Sequence, residues 1–149
     1  MNLTFTVPGQ PVPKGSMKFV GRSKRGKPLM THDNQALKGY MERIKISANI
    51  AMGGMPPVTG AIALSCVFYL EAVTGKTIGD LLHKRDLDKM TRSVMDALTG
   101  IVYVDDGQVA EFERPFGKHL SPVPRTQIQL WTIGEDCDLL VRACAEATT

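Results

Sequence analysis

At 149 residues and 43% hydrophobic, the chain is long enough for one packed core and too short for two ordinary domains, so a single domain over 1–149 is expected. Its longest apolar run, Ala61 to Leu70, is interrupted by Ser65 and falls far short of the ~20 residues a membrane helix needs, and no basic leader with an apolar core opens the sequence, so a cytoplasmic protein is expected. The net charge of +3 is small but unevenly spread, because Lys14, Lys18, Arg22, Lys24, Arg25 and Lys27 all precede the first acidic residue, Asp33.

Leu3, Phe5 and Val7 alternate with polar neighbours and stop at Pro8-Gly9, which predicts a first strand on a half-buried sheet. After a Pro-rich stretch, Met17 to Val20 and Leu29 to Thr31 flank the tip Gly21-Arg22-Ser23-Lys24-Arg25-Gly26, as the arms of an irregular hairpin would. This basic loop, about residues 14–28, suits a segment that tracks a polyanion. If its cations met duplex phosphates, binding would weaken about a thousandfold between 50 and 200 mM salt. Thr31, Asp33 or Asn34 can cap a helix whose apolar positions Leu37, Met41, Ile44, Ala48 and Ala51 form a stripe facing either the sheet or a partner subunit. Gly53-Gly54 and Pro56-Pro57 end it.

Ala61 to Leu70 reads as a buried central strand, and Glu71 to Arg85 as a long loop. A second helix is predicted from Leu87 to Leu98, with Leu87, Met90, Val94, Ala97 and Leu98 on its apolar side and Asp88, Arg92 and Asp96 on its polar side. Gly100 ends it, Ile101 to Val104 supplies a short strand, and Asp105-Asp106-Gly107 turns the chain. Gln108 to Phe116 and Arg125 to Ile133 read as two more strands, with Trp131 in the core, and a tail spans 135–149. These elements describe an α/β (α+β) domain with a small mixed sheet and two main helices.

Cys66, Cys137 and Cys144 are odd in number and have no CxxC spacing, which argues against a disulfide framework and a zinc site. His32, His83 and His119 share no ligand spacing. Glu111 and Glu113 share a strand face expected to meet solvent.

The chemistry lies in two acidic pairs, Asp86-Leu87-Asp88 and Asp105-Asp106. Each has a plain structural reading: Asp86 and Asp88 can serve a helix N-terminus, Asp88, Arg92 and Asp96 can form an exposed ion-pair ladder, and Asp106-Gly107 can make a tight turn. Together they say more, because the helix and the following strand would return the second pair toward the first. Charges about 4 Å apart repel by roughly 4 kcal/mol at an effective dielectric near 20, so such a cluster needs protons or cations. All-oxygen ligands favour Mg2+, with Mn2+ as a substitute, and magnesium held open to phosphate oxygens points to phosphodiester hydrolysis.

The run Lys84-Arg85-Asp86-Leu87-Asp88-Lys89-Met90, then Met95-Asp96-Ala97-Leu98-Thr99, then Val104-Asp105-Asp106-Gly107-Gln108-Val109, resembles the RusA-type Holliday junction resolvases common in phages and prophages. The opening Val7-Pro8-Gly9-Gln10-Pro11-Val12-Pro13-Lys14-Gly15 is similar to that family's N-terminal pattern. The resemblance implies a homodimeric, magnesium-dependent endonuclease in a bacterial host cell, cutting two strands of a four-way DNA junction and taking no small-molecule substrate. It assigns Asp86, Asp88 and Asp106, with Asp105, to the metal, and gives Asp96 a supporting role, orienting Arg92 or a metal-bound water. Two positions depart from the family pattern: Lys89 stands where the family has Asn, and Arg92 where it has Lys. Arg92 keeps a positive charge beside the phosphate and can donate two hydrogen bonds to it, and Lys89 offers an alternative ammonium. Lys84, Arg85 and Lys118 join the basic loop as expected DNA contacts. Two other readings use the same residues: a non-catalytic junction- or duplex-binding protein, and a nuclease for forks and flaps.

Overall fold

The computed structural model describes residues 1–15, 18–31, 35–83 and 85–134. Its organising element is β4 (Ile62–Glu71), buried from Ile62 through Phe68. β7 (Arg125–Thr132) runs antiparallel along one side of β4 and pairs on its own far side with β1 (Asn2–Pro8), also antiparallel. On the other side of β4, β5 (Val109–Phe112) and β6 (Gly117–Ser121) pair in parallel with successive stretches of it. The result is a five-stranded mixed sheet, and β2 (Lys18–Arg22) and β3 (Pro28–Thr31) form a separate antiparallel hairpin.

Helix α1 (Gln35–Met52) buries Leu37, Tyr40, Ile44, Ala48 and Met52 in the core of its own chain, which answers where its stripe packs. The spacing of three and four residues keeps one face inward over five turns. Its expected caps Asp33 and Asn34 lie outside the described residues. Helix α3 (Leu87–Leu98) matches the predicted span and packs against α1, with Met90, Val94, Ala97 and Leu98 fully buried. Gly100 follows it at φ +82, a conformation glycine adopts without a Cβ penalty, and so the helix stops there. Buried polar groups find partners: Tyr40 Oη and Thr126 Oγ1 lie 2.7 Å apart, and Tyr103 Oη donates to the Met95 carbonyl at 2.8 Å. Burial pushes both phenols well above their ordinary range, and it does the same to the Cys66 thiol, a core side chain.

Several elements differ from the sequence expectation. The predicted strand from Gln108 to Phe116 ends at Phe112, because Pro115 has no N–H to continue a ladder. The chain leaves β4 there, where the Ser65 hydroxyl donates to the Pro115 carbonyl, and rejoins it as β6. Ile101 to Val104 is a turn rather than a strand: the N–H groups of Ile101 and Val102 both donate to the Leu98 carbonyl, and Tyr103 makes only isolated bridges to Val58 and Thr99. The long loop holds a short helix, α2 (Ile78–Leu82), started by a reciprocal cap between Thr77 and Asp80. Trp131 is only half-buried on β7. Cys137, Cys144, His32 and the tail 135–149 lie outside the described residues. No helix among the described residues is long and apolar enough to cross a membrane.

Candidate active site

The start of α3 divides the first acidic pair. Asp86 sits just before the helix in extended backbone, and its carboxylate makes no cap hydrogen bond. It pairs instead with Lys89 Nζ at 3.0 Å. Asp88, in the first helical turn, lines a cleft of about 570 Å³ together with Leu87, Thr91, Arg92 and Met95. At about 100° per residue these five positions span an arc of about 140°, one continuous edge of the helix. Asp88 and Arg92, four residues apart, stand nearly one above the other on it.

The opposite wall carries Phe112 at the end of β5, Phe116 and Asp106. Asp106 reaches the cleft because the turn that bears it is held on both sides. Asp105 accepts the Gly107 N–H at 2.8 Å through its own carboxylate, capping a single 3-10 turn over Asp106–Gln108. The Gln108 side-chain carbonyl accepts the N–H groups of Val104 and Asp105, each at 2.9 Å. Its amide donates to the carbonyls of Val58 and Gly60 at 2.8 and 2.9 Å. One side chain thereby fastens the acidic turn to the segment leading into β4. A Cβ at 107 would stand 2.8 Å from Asp105 Oδ1, so a larger residue there would push the capping carboxylate aside.

A strap from the N-terminal segment braces α3. Lys14 N–H donates to the Lys89 carbonyl at 3.1 Å, the Ser93 hydroxyl donates to the Val12 carbonyl at 3.0 Å, and Lys14 Nζ forms an ion pair with Asp96. Arg85 donates to the Pro11 carbonyl, and Lys118 Nζ donates to the Arg85 carbonyl at 2.7 Å, which ties the residues before Asp86 to β6. Burial draws the Arg85 guanidinium below its usual pKa. Asp96, expected to orient Arg92 or a metal-bound water, is paired here with Lys14. Lys14, Arg85 and Lys118 all have partners within the protein. Arg22, Lys24, Arg25 and Lys27 are exposed on the β2–β3 hairpin, whose tip is closed by Ser23 N–H to the Lys27 carbonyl and Gly26 N–H to the Ser23 carbonyl, each 2.8 Å. The side chain of Lys18 and all of Lys84 lie outside the described residues.

A second cleft, about 700 Å³, lies beyond Arg85 and is bordered by Gln10, Arg43, Glu71, Lys76 and Arg85. Its cations Arg43 and Lys76 carry no motif signal and come together only through the fold. Phe112 and Phe116 were equally hidden, read in the sequence as ordinary strand residues. Glu111, Glu113, His83 and His119 are exposed, and His119 lies beside the Tyr69 ring with centroids 5.9 Å apart.

The sequence offers four carboxylates for a metal: Asp86, Asp88, Asp105 and Asp106. Among the described residues, no three His, Cys, Asp or Glu side chains stand together as a metal-holding group. Asp88 and Asp106 do share the cleft, Asp86 is held by Lys89, and Asp105 is spent on its own turn. Two carboxylates open to solvent and phosphate still fit magnesium, which binds through one or two carboxylates and completes its shell with water and phosphate oxygens.

No curated protein matches the chain. A protein-family model described as Endodeoxyribonuclease RusA matches residues 8–131, a span that holds the strap, the hairpin, both acidic pairs and all but the last residue of β7. Resolvases of that family generally depend on a divalent metal. The cleft, its acidic turn and this match lead to one conclusion: the chain belongs to the RusA family and is an endodeoxyribonuclease of the Holliday junction resolvase type.

Proposed function

We propose that the chain acts as a magnesium-dependent homodimer that makes paired cuts in a four-way DNA junction, with Asp88 and Asp106 holding the metal and Arg92 steadying the scissile phosphate. The observation that carries this reading is that Asp88 and Arg92 of α3 and Asp106 of the acidic turn line one open cleft. Magnesium bound there would supply positive charge to the phosphodiester and favour ionisation of the attacking water. The protein's own contribution is positional. Arg92 offers a planar guanidinium suited to two phosphate oxygens, a group that binds anions rather than acting as a base. Asp86 joins the metal set in this reading when the substrate phosphate draws Lys89 away from it.

The exposed cations of the hairpin, with Lys18 and Lys84 from the sequence reading, grip the junction arms. The cleft bordered by Arg43, Lys76 and Arg85, with Glu71 also in its lining, offers a further cationic surface to the DNA backbone. Within this arrangement Lys14 and Lys118 brace the site and touch DNA only by giving up their protein partners.

Incubation of the purified protein with an end-labelled four-way junction, a matched duplex and a fork, with and without magnesium, tests the proposal. The expected result is metal-dependent, symmetric incision of the junction, with duplex and fork cut far more slowly. Equal cutting of the fork would make it a general branch nuclease, and an uncut junction across metal concentrations would refute the proposal.

A further inference from the structure

We propose that Phe112 is a stacking platform for a nucleobase beside the scissile phosphate, so that the cleft accepts a nucleotide that has left the helical stack. The inference rests on the nuclease reading of this cleft. Phe112 closes β5 and is 57% exposed, so one face of its ring is open to the cleft. Phe116 lies beside it with ring centroids 5.1 Å apart and planes tilted by 45°, which limits the directions Phe112 can take. Leu87 and Met95 extend the apolar surface, while Asp88, Arg92 and Asp106 supply the charged part of the same cleft.

A phosphodiester and its hydrated metal have no use for an apolar aromatic wall. A nucleotide has use for both parts, since its phosphate is anionic and its base presents an apolar π-face. Arg92 and Phe112 therefore match the two ends of one nucleotide. The cleft volume, about 570 Å³, lies in the range that holds small organic ligands. Stacking on an aromatic ring tolerates any base, so it selects for an unstacked conformation rather than a sequence. Intact duplex must break its own stacking to reach the ring, whereas a branch point has partly done so, and the platform thereby favours branched over linear DNA.

The test uses full-length protein and a four-way junction carrying 2-aminopurine next to the cut, with Asp88→Asn to hold the complex uncut. Binding by Asp88→Asn should raise 2-aminopurine fluorescence as the base leaves its neighbours. Phe112→Leu in that background should abolish the rise and Phe112→Tyr should keep it. In the otherwise wild-type enzyme Phe112→Leu should slow junction cleavage roughly 5- to 150-fold, the range for losing one base–aromatic stack, with Phe112→Tyr near wild type. A fluorescence rise that survives Phe112→Leu, or cleavage unchanged by it, overturns the proposal. So does a change in sedimentation on Phe112→Leu, which would make the ring a subunit contact. If the parent enzyme cuts no junction while the fluorescence follows the ring, the nuclease reading fails and the stacking site stands.

Discussion

The two acidic pairs look alike in sequence and are used alike in the fold, but through different devices. In each, one carboxylate is retained by the protein and its neighbour faces the cleft. At α3 the retained group is Asp86, held by the mobile ammonium of Lys89 in a half-exposed ion pair. At the turn it is Asp105, fixed by a backbone N–H and locked in place by Gln108. The first restraint is weak and reversible, as exposed pairs are, and the second is part of the backbone. Asp86 can therefore change partner when substrate arrives, whereas Asp105 would have to unravel the turn to do so.

The largest effects should fall on the cleft-facing members. Asp88→Asn and Asp106→Asn should each slow junction cleavage at least about a hundredfold while leaving binding equal or tighter, measured by single-turnover cutting and by gel shift in parallel. A cleavage loss matched by a binding loss would place these residues in DNA affinity instead. Next comes Gln108→Ala, which removes four hydrogen bonds and frees the turn that aims Asp106. It should lower stability by about 1–3 kcal/mol in urea unfolding and cleavage by about 10- to 100-fold. Normal cleavage by a destabilised Gln108→Ala protein would show that Asp106 needs no such support.

Lys89→Asn tests the reversible side. Removing the ammonium releases Asp86, so the magnesium concentration for half-maximal cleavage should fall several-fold, with less than about 1 kcal/mol change in stability. A higher magnesium requirement would mean that Lys89 itself binds substrate. The smallest and sharpest contrast is at Asp105. Asp105→Asn keeps a side-chain oxygen for the Gly107 N–H and should cut almost normally, whereas Asp105→Ala should lose about 0.5–2 kcal/mol of stability. Inactivity of a stably folded Asp105→Asn would show that its charge, not its cap, matters.

Much of this was legible in the sequence, for reasons that differ by element. The α3 span could be read because its apolar period and its glycine stop agree, and β4 because an apolar run of that length, interrupted only by Ser65, has few other homes. The break after Phe112 was hidden, since Val109 to Phe116 has strand-like composition and only Pro115 speaks against continuation. β6 escaped because Gly-Lys-His-Leu-Ser carries little strand propensity and gains its place by pairing with β4. At the site, the acidic positions announced themselves by spacing. Their division into retained and cleft-facing groups did not, because it depends on partners at Lys89, Gly107 and Gln108 that composition cannot rank. The Lys14–Asp96 pair joins positions 82 residues apart, a distance over which no local pattern operates.

The order of strands across the sheet has a kinetic side. β7 lies between β1 and β4, so among the described residues the first strand is joined to the central one through the last. Until residue 132 is available, β1 has no edge to pair with and β4 lacks its antiparallel neighbour. The N-terminal strap, held at the end of β1, must wait with it. A ribosome-bound chain should thus stay without a finished nuclease centre until synthesis has passed β7, and refolding should be governed by these distant pairings rather than by the early helices.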